Sequence, residues 1–281
     1  MLECISEHMC FGGTQGVYRH DSAVIGLSMR FSVYQPPQAK HHPVPVLFYL
    51  AGLTCSEETF MIKAGAQRFA AQAGIMLVAP DTSPRNTGIA GATDHWDFGE
   101  GAGFYLDATQ APWNRHFKMD TYITQELRQL VLASFPANAD RIGVFGHSMG
   151  GHGALVLALR NPDIYHSVSA FSPVAAPTQC PWGQKAFKHY LGPEQTDWRQ
   201  YDATELMQDR VTPFPNGILI DQGLSDKFLQ EQLMPDKFEA ACAVAQQPLT
   251  LRRHAGYDHS YYFITSFIED HLAFHQRTLG T

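Results

Sequence analysis

Residues 44–50, VPVLFYL, form an unbroken apolar run. A strand with one wet face would alternate apolar and polar residues, and a membrane span needs about 18 apolar residues or more. A short run that is apolar on both faces predicts a strand covered on both, as in a parallel sheet flanked by helices. The downstream sequence repeats this theme. Residues 56–73 are Ala-rich and read as a helix closed by Gly74, and 75–80 (IMLVAP) as a second buried strand. Residues 121–135 carry Ile123, Leu127, Leu130, Val131 and Ser134 on one helical stripe. Further strands are predicted at 141–146, 166–173, 217–221 and 248–254, and helices at 152–160, 235–245 and 261–276. Upstream, residues 23–33 alternate, with Ile25, Leu27, Met29, Phe31 and Val33 on one face. They predict a half-buried antiparallel strand ended by Pro36-Pro37. The expectation is an α/β fold with a mostly parallel central sheet, antiparallel N-terminal strands and helices on both faces, in a single domain over 1–281.

Residues 80–118 break the pattern. They hold no helical periodicity, yet contain Trp96, Phe98, Phe104, Tyr105 and Trp113. So long a loop in a compact fold is usually functional, which favours an active-site loop over a structural Ω-type loop.

Composition excludes several classes. Hydrophobic residues make up 44% and charged residues 17%, enough apolar material for a core and too little charge for a disordered chain. Twenty Lys and Arg stand against 27 Asp and Glu, a formal net charge of −7, with no basic run to neutralise a nucleic-acid backbone. No transmembrane helix is expected, and the opening MLECISEHMCFGG lacks the basic flank and apolar core of a signal peptide. Cys4, Cys10, Cys55, Cys180 and Cys242 are scattered without CxxC or zinc-finger spacing, which predicts free thiols in a reducing cytoplasm. His271 and His275 stand at metal-ligand spacing on the last helix, but no third ligand is evident. They read as a solvated helix face, and no metal is expected. No nucleotide-binding motif is present.

The chemistry centres on Gly146-His147-Ser148-Met149-Gly150, a G-x-S-x-G turn between a predicted strand and a predicted helix. A tight turn there lifts the serine hydroxyl to a helix N-terminus, where developing negative charge is favoured. A serine hydroxyl needs a base, and in such folds an acid and then a histidine follow the serine, each on a loop after a strand. His259, on the loop before the closing helix, is favoured over His254, which is nearer the strand and reads as a structural hydrogen-bonding residue. Asp226, beyond the end of the strand at 217–221, is favoured over Asp221, whose alternative role is to brace the loop. Backbone N–H groups for an oxyanion are expected at Met149, after the serine, and at Leu53, in the loop after 44–50. Cys55 would then lie near the site, as a modifiable thiol or as a small buried residue.

The chain resembles S-formylglutathione hydrolases, the esterase D family of α/β-hydrolases, over nearly its whole length. The stretches that carry the resemblance are LAGLTCSEETFMIKAGAQRFAAQAGIMLVAPDTSPR (50–85), GAGFYLDATQAPW (101–113), GHSMGGHGAL (146–155), CPWGQKAFKHYLG (180–192), DQGLSDKFL (221–229) and GYDHSYYFITSFIEDH (256–271). The resemblance implies a catalytic triad of Ser148, Asp226 and His259 with oxyanion donors at Leu53 and Met149. It implies a cofactor-free cytoplasmic enzyme, commonly a homodimer, that cleaves the thioester S-formylglutathione in formaldehyde detoxification. A formyl group is small, so a tight acyl pocket is expected, with Cys55, Trp182 and Phe98 as candidate walls. The same triad would serve a broad short-chain carboxylesterase or an acyltransferase. A non-enzymatic binding scaffold is the reading that complete catalytic residues disfavour.

Overall fold

The structure is a computed structural model that describes residues 2–210 and 212–280. Among these, nine strands hydrogen-bond into one sheet. In chain order they are β1 (Glu3–Cys10), β2 (Gly13–Asp21), β3 (Ser28–Gln35), β4 (Val44–Leu50), β5 (Met76–Pro80), β6 (Ala137–His147), β7 (Ser167–Phe171), β8 (Ile218–Gly223) and β9 (Leu249–His254). Across the sheet the order is β1-β2-β3-β5-β4-β6-β7-β8-β9. The pairs from β1 to β5 are antiparallel, and every pair from β5–β4 to β8–β9 is parallel. This is the expected mixed α/β sheet.

All seven residues of β4 are buried, and the strand is paired on both edges. Pro45 has no N–H to give to a neighbour, and the register with β6 shifts between Val44 and Val46. The helices are α1 (Thr59–Lys63), α2 (Ala66–Ala73), α3 (Met119–Thr121), α4 (Arg128–Ser134), α5 (Met149–Arg160), α6 (Pro181–Tyr190), α7 (Gln195–Trp198), α8 (Ala203–Gln208), α9 (Pro235–Val244) and α10 (Tyr261–Leu279). A π-helical turn, Tyr122–Leu127, joins α3 to α4. On one face α2 and α10 pack over Tyr49, Phe60, Phe145 and Phe263. On the other, α5 and α8 cover a core that includes Val46, Phe48, Val144 and Leu155.

Three expectations need correction. The strand expected at 23–33 begins only at Ser28: residues 22–27 form a turn with Gly26 at φ 74° and Ile25 buried beneath it. The alternation there recorded burial rather than extension. The helix expected at 56–73 is broken by Gly65, whose left-handed backbone (φ 66°) separates α1 from α2. The segment at 80–118 is irregular as expected, but most of it is packed inside. Tyr105 donates to the Ala51 carbonyl at 2.8 Å, Gly101 accepts from Thr54 N–H at 2.9 Å, and Arg85 donates to the Cys55 carbonyl at 2.9 Å. The loop therefore braces residues 51–55 from below, and Trp96 is the part of it that reaches the cavity holding Ser148.

Candidate active site

Ser148 joins β6 to α5 with φ 60° and ψ −120°, a strained conformation for a side chain with a Cβ. Three backbone hydrogen bonds clamp it: its N–H donates to Phe171, and its carbonyl accepts from His152 and Val174, at 3.0, 3.0 and 3.2 Å. The flanking glycines are steric necessities. A Cβ on Gly146 would strike the Gly150 carbonyl, and one on Gly150 would strike the carbonyl of Leu50 at the end of β4. Met149 is the first residue of α5, where N–H groups have no intrahelical acceptor. Leu53 lies on the loop after β4, and among the described residues its N–H has no acceptor either. Leu53, Gly52, Ser148 and His259 line one cavity of about 260 Å³.

Asp226 and His259 come from the loops after β8 and β9. These loops are stitched together by Leu224 N–H to the His254 carbonyl and Ser225 N–H to the Tyr257 carbonyl, both at 2.9 Å. The Asp226 carboxylate is fully buried. Its Oδ2 stands 2.5 Å from His259 Nδ1, and its Oδ1 accepts from Phe228 N–H at 2.9 Å. With Nδ1 donating to the carboxylate, Nε2 is the nitrogen left to act as a base. His147 packs beside His259, ring centroids 4.4 Å apart. Burial, and then the charge of His259, push the His147 pKa well below the ordinary range, so it stays neutral there.

An Esterase family model matches residues 22–274. S-formylglutathione hydrolase of Rattus norvegicus is 51% identical over 280 residues, covering 99% of both chains, and that of Paracoccus denitrificans is 50% identical over 278 residues, covering 99% of this chain and 98% of its own. The solved S-formylglutathione hydrolase of Agrobacterium tumefaciens superposes with a TM-score of 0.96 at 46% identity, covering 99% of each chain. The chain belongs to the S-formylglutathione hydrolase family of esterases.

Within this family member, Asp221 stands apart from the Asp226–His259 pair. It is completely buried beside Arg252 (2.6 and 2.5 Å), with His254 and His271 each 3.3 Å away. Burial would raise its pKa, but the adjacent His271 ring and the Arg252 guanidinium outweigh burial and hold the carboxyl below the usual range. His254 stands beside this cluster, away from the Asp226–His259 pair, but its Nε2 makes no hydrogen bond, contrary to the expected structural hydrogen-bonding role.

Of the pocket candidates, Cys55 and Trp182 line the cavity. Phe98 does not. It is 4% exposed and packed against Trp113, His189 and Tyr190, because an interior aromatic cluster takes it away from the cavity. The Cys55 pKa is raised by burial, against the pull of the Tyr261 and Thr59 hydroxyls, so it sits in the cavity as a thiol. The solvated-face reading of His271 and His275 is also wrong. Both are 0% exposed: His271 bonds Ser169, and His275 bonds Ser167 and Ser169. Small serines on β7 supply partners that the helix pattern could not reveal. Among the described residues no group of three or more His, Cys, Asp or Glu side chains is arranged to hold a metal ion.

Sequence reasoning missed Phe228, Tyr261 and Lys63 on the cavity wall, and named Trp96 only as part of the 80–118 loop. Phe228 stands edge-on to His259 at 5.1 Å and packs against Trp182 at 4.7 Å. Two of the three missed residues had a usable signal, since Phe228 lies two residues after Asp226 and Tyr261 two residues after His259.

Proposed function

We infer that this enzyme hydrolyses S-formylglutathione to glutathione and formate through a formyl-serine intermediate. The carrying observation is the buried Asp226 carboxylate, 2.5 Å from His259 Nδ1, in a family member whose Ser148 lines the same cavity as that histidine. In this reading His259 Nε2 takes the Ser148 proton as Oγ attacks the formyl carbon. The Leu53 and Met149 N–H groups receive the tetrahedral oxyanion. The carbon–sulfur bond breaks, and glutathione departs as thiol with the proton from His259. A thiolate is a good leaving group, so this step needs little assistance. Water then attacks the formyl ester, giving its proton to His259. The carbon–Oγ bond breaks, Ser148 recovers that proton from His259, and formic acid leaves, losing its remaining proton to solvent as formate. Asp226 holds the imidazole tautomer throughout and stabilises the imidazolium. Trp182 and Phe228 pack together on the cavity wall, and in this reading they bound the space left for a one-carbon acyl group.

The test is kcat/KM for S-formylglutathione beside p-nitrophenyl acetate, with Ser148→Ala as blank. A large thioester preference, lost in the blank, is expected. Equal or better turnover of the simple ester would make this a general esterase, and activity retained by Ser148→Ala would remove the nucleophile.

We place the enzyme in the cytoplasm, as one domain over 1–281 and as a homodimer acting in glutathione-dependent disposal of formaldehyde. Five unpaired cysteines support the reducing compartment, and among the described residues no helix is long and apolar enough to cross a membrane. Exposed Ile5, Met9 and Phe11 on and beside the edge strand β1 offer a second copy apolar surface to cover. Sedimentation equilibrium at micromolar concentration should give twice the chain mass. A single-chain mass would exclude the dimer.

A further inference from the structure

The formyl group is a small part of S-formylglutathione, and the rest is a peptide with two carboxylates and one ammonium. The Ser148 cavity must therefore open onto a second space that accepts an anionic peptide. Such a space exists. A cavity of about 560 Å³, lined by Lys63, Ser260, Tyr261, Tyr262 and Thr265, shares its first three residues with the Ser148 cavity. Its volume is that of a small-molecule cleft, about 300–1,000 Å³. It lies between α1 and the start of α10, which are tied by Thr265 Oγ1 donating to the Lys63 carbonyl at 3.1 Å.

The charge pattern of the two cavities is selective. The chain carries 27 Asp and Glu, yet none lines either cavity, and among the described lining residues Lys63 is the one Lys or Arg. Lys63 is exposed, and its ammonium sits 5.7 Å from the centroid of the Tyr261 ring. The lysine–carboxylate pair found among the described residues is Lys185–Asp97, so no ion pair engages Lys63, and the Asp258 carboxylate beside the groove is held by the Ser260 N–H and hydroxyl. Tyr262, 87% exposed, offers a bare aromatic face on the same groove.

We propose that the groove between α1 and α10 is the glutathionyl subsite, with Lys63 binding the glycyl carboxylate of the substrate. The proposal rests on the thioesterase reading above. The choice of carboxylate follows from charge. The γ-glutamyl carboxylate travels with its own ammonium and would need an acidic wall, which this groove lacks. The glycyl carboxylate is a bare anion and matches a lone cation. The Tyr261 and Tyr262 rings flank the peptide between that carboxylate and the sulfur.

The experiment compares wild type, Lys63→Met and Lys63→Arg on three substrates: S-formylglutathione, its glycyl ethyl ester and p-nitrophenyl acetate. The kcat/KM ratio of S-formylglutathione to p-nitrophenyl acetate should fall about fivefold in Lys63→Met, the size expected for an exposed ion pair, and chiefly through KM. Lys63→Arg should restore it. Esterifying the glycyl carboxylate should cost wild type the same factor and cost Lys63→Met nothing further. An unchanged ratio in Lys63→Met, a parallel loss on both substrates, or an equal esterification penalty in wild type and Lys63→Met would overturn the assignment. A wild-type enzyme that does not prefer S-formylglutathione over the simple ester would instead overturn the thioesterase reading, and this shows before any variant is measured.

Discussion

Asp226 and Asp221 are both buried carboxylates on the β8 segment, five residues apart, and their partners separate their roles. Asp226 meets His259, whereas Asp221 meets Arg252, His254 and His271. Asp226→Asn should leave thermal stability nearly intact and lower kcat about 10³-fold, because the amide favours the wrong imidazole tautomer. Asp221→Asn should do the opposite. Breaking a buried ion pair costs about 3 kcal/mol, while the loop that carries Asp226 keeps its backbone bonds to the β9 loop. Paired measurements of Tm and kcat decide this, and the reverse ordering would exchange the two roles. The sequence favoured Asp226 because it lies beyond the strand end. It could not show that Asp221 has a guanidinium partner 31 residues away.

The strand–turn–helix that carries Ser148 is legible as an element because its glycines are demanded locally. Gly150 is the sharper case, since a Cβ there would run into the backbone of β4. Gly150→Ala should therefore lower both Tm and kcat/KM severely, by more than about 3 kcal/mol in stability, as overpacking against backbone has no cheap relaxation. Gly65→Ala meets no atom within 4 Å and bears only the left-handed backbone cost, about 1 kcal/mol. Similar losses at the two positions would refute the steric account of the elbow. Elements without such a local signature were not legible. The edge hairpin β1–β2 shows no clean apolar alternation in β1, most of which faces outward. The helices α6, α7 and α8 were not read from the sequence, because short helices take their stability from tertiary contacts.

Across the molecule, buried histidines make stability depend on pH. His152 is fully buried on α5, bonded to the Phe104 carbonyl at 3.0 Å, and burial pushes its pKa down to about 4. A depressed histidine contributes stability above its unfolded pKa, about 6.5, and loses it as pH falls towards 4. Asp120 opposes this in part, since burial lifts its carboxyl to about 6 despite Arg160. The comparison that isolates His152 is therefore wild type against His152→Gln in urea. Between pH 7.5 and 5.0 wild type should lose about 2 kcal/mol more than the variant. Equal losses would mean that His152 is not held neutral in the fold.

The sequence by itself determined the parallel core of the sheet and the strand–turn–helix that carries Ser148, because continuous apolar runs and crowded turns are set by neighbouring residues. Only the tertiary structure decided that Phe98 packs inside, that His271 and His275 are buried on serines of β7, and that Phe228, Lys63 and Tyr261 wall the cavity. A cavity wall is assembled from segments far apart in the chain. Its membership depends on how loops cross above the sheet, which no local pattern encodes.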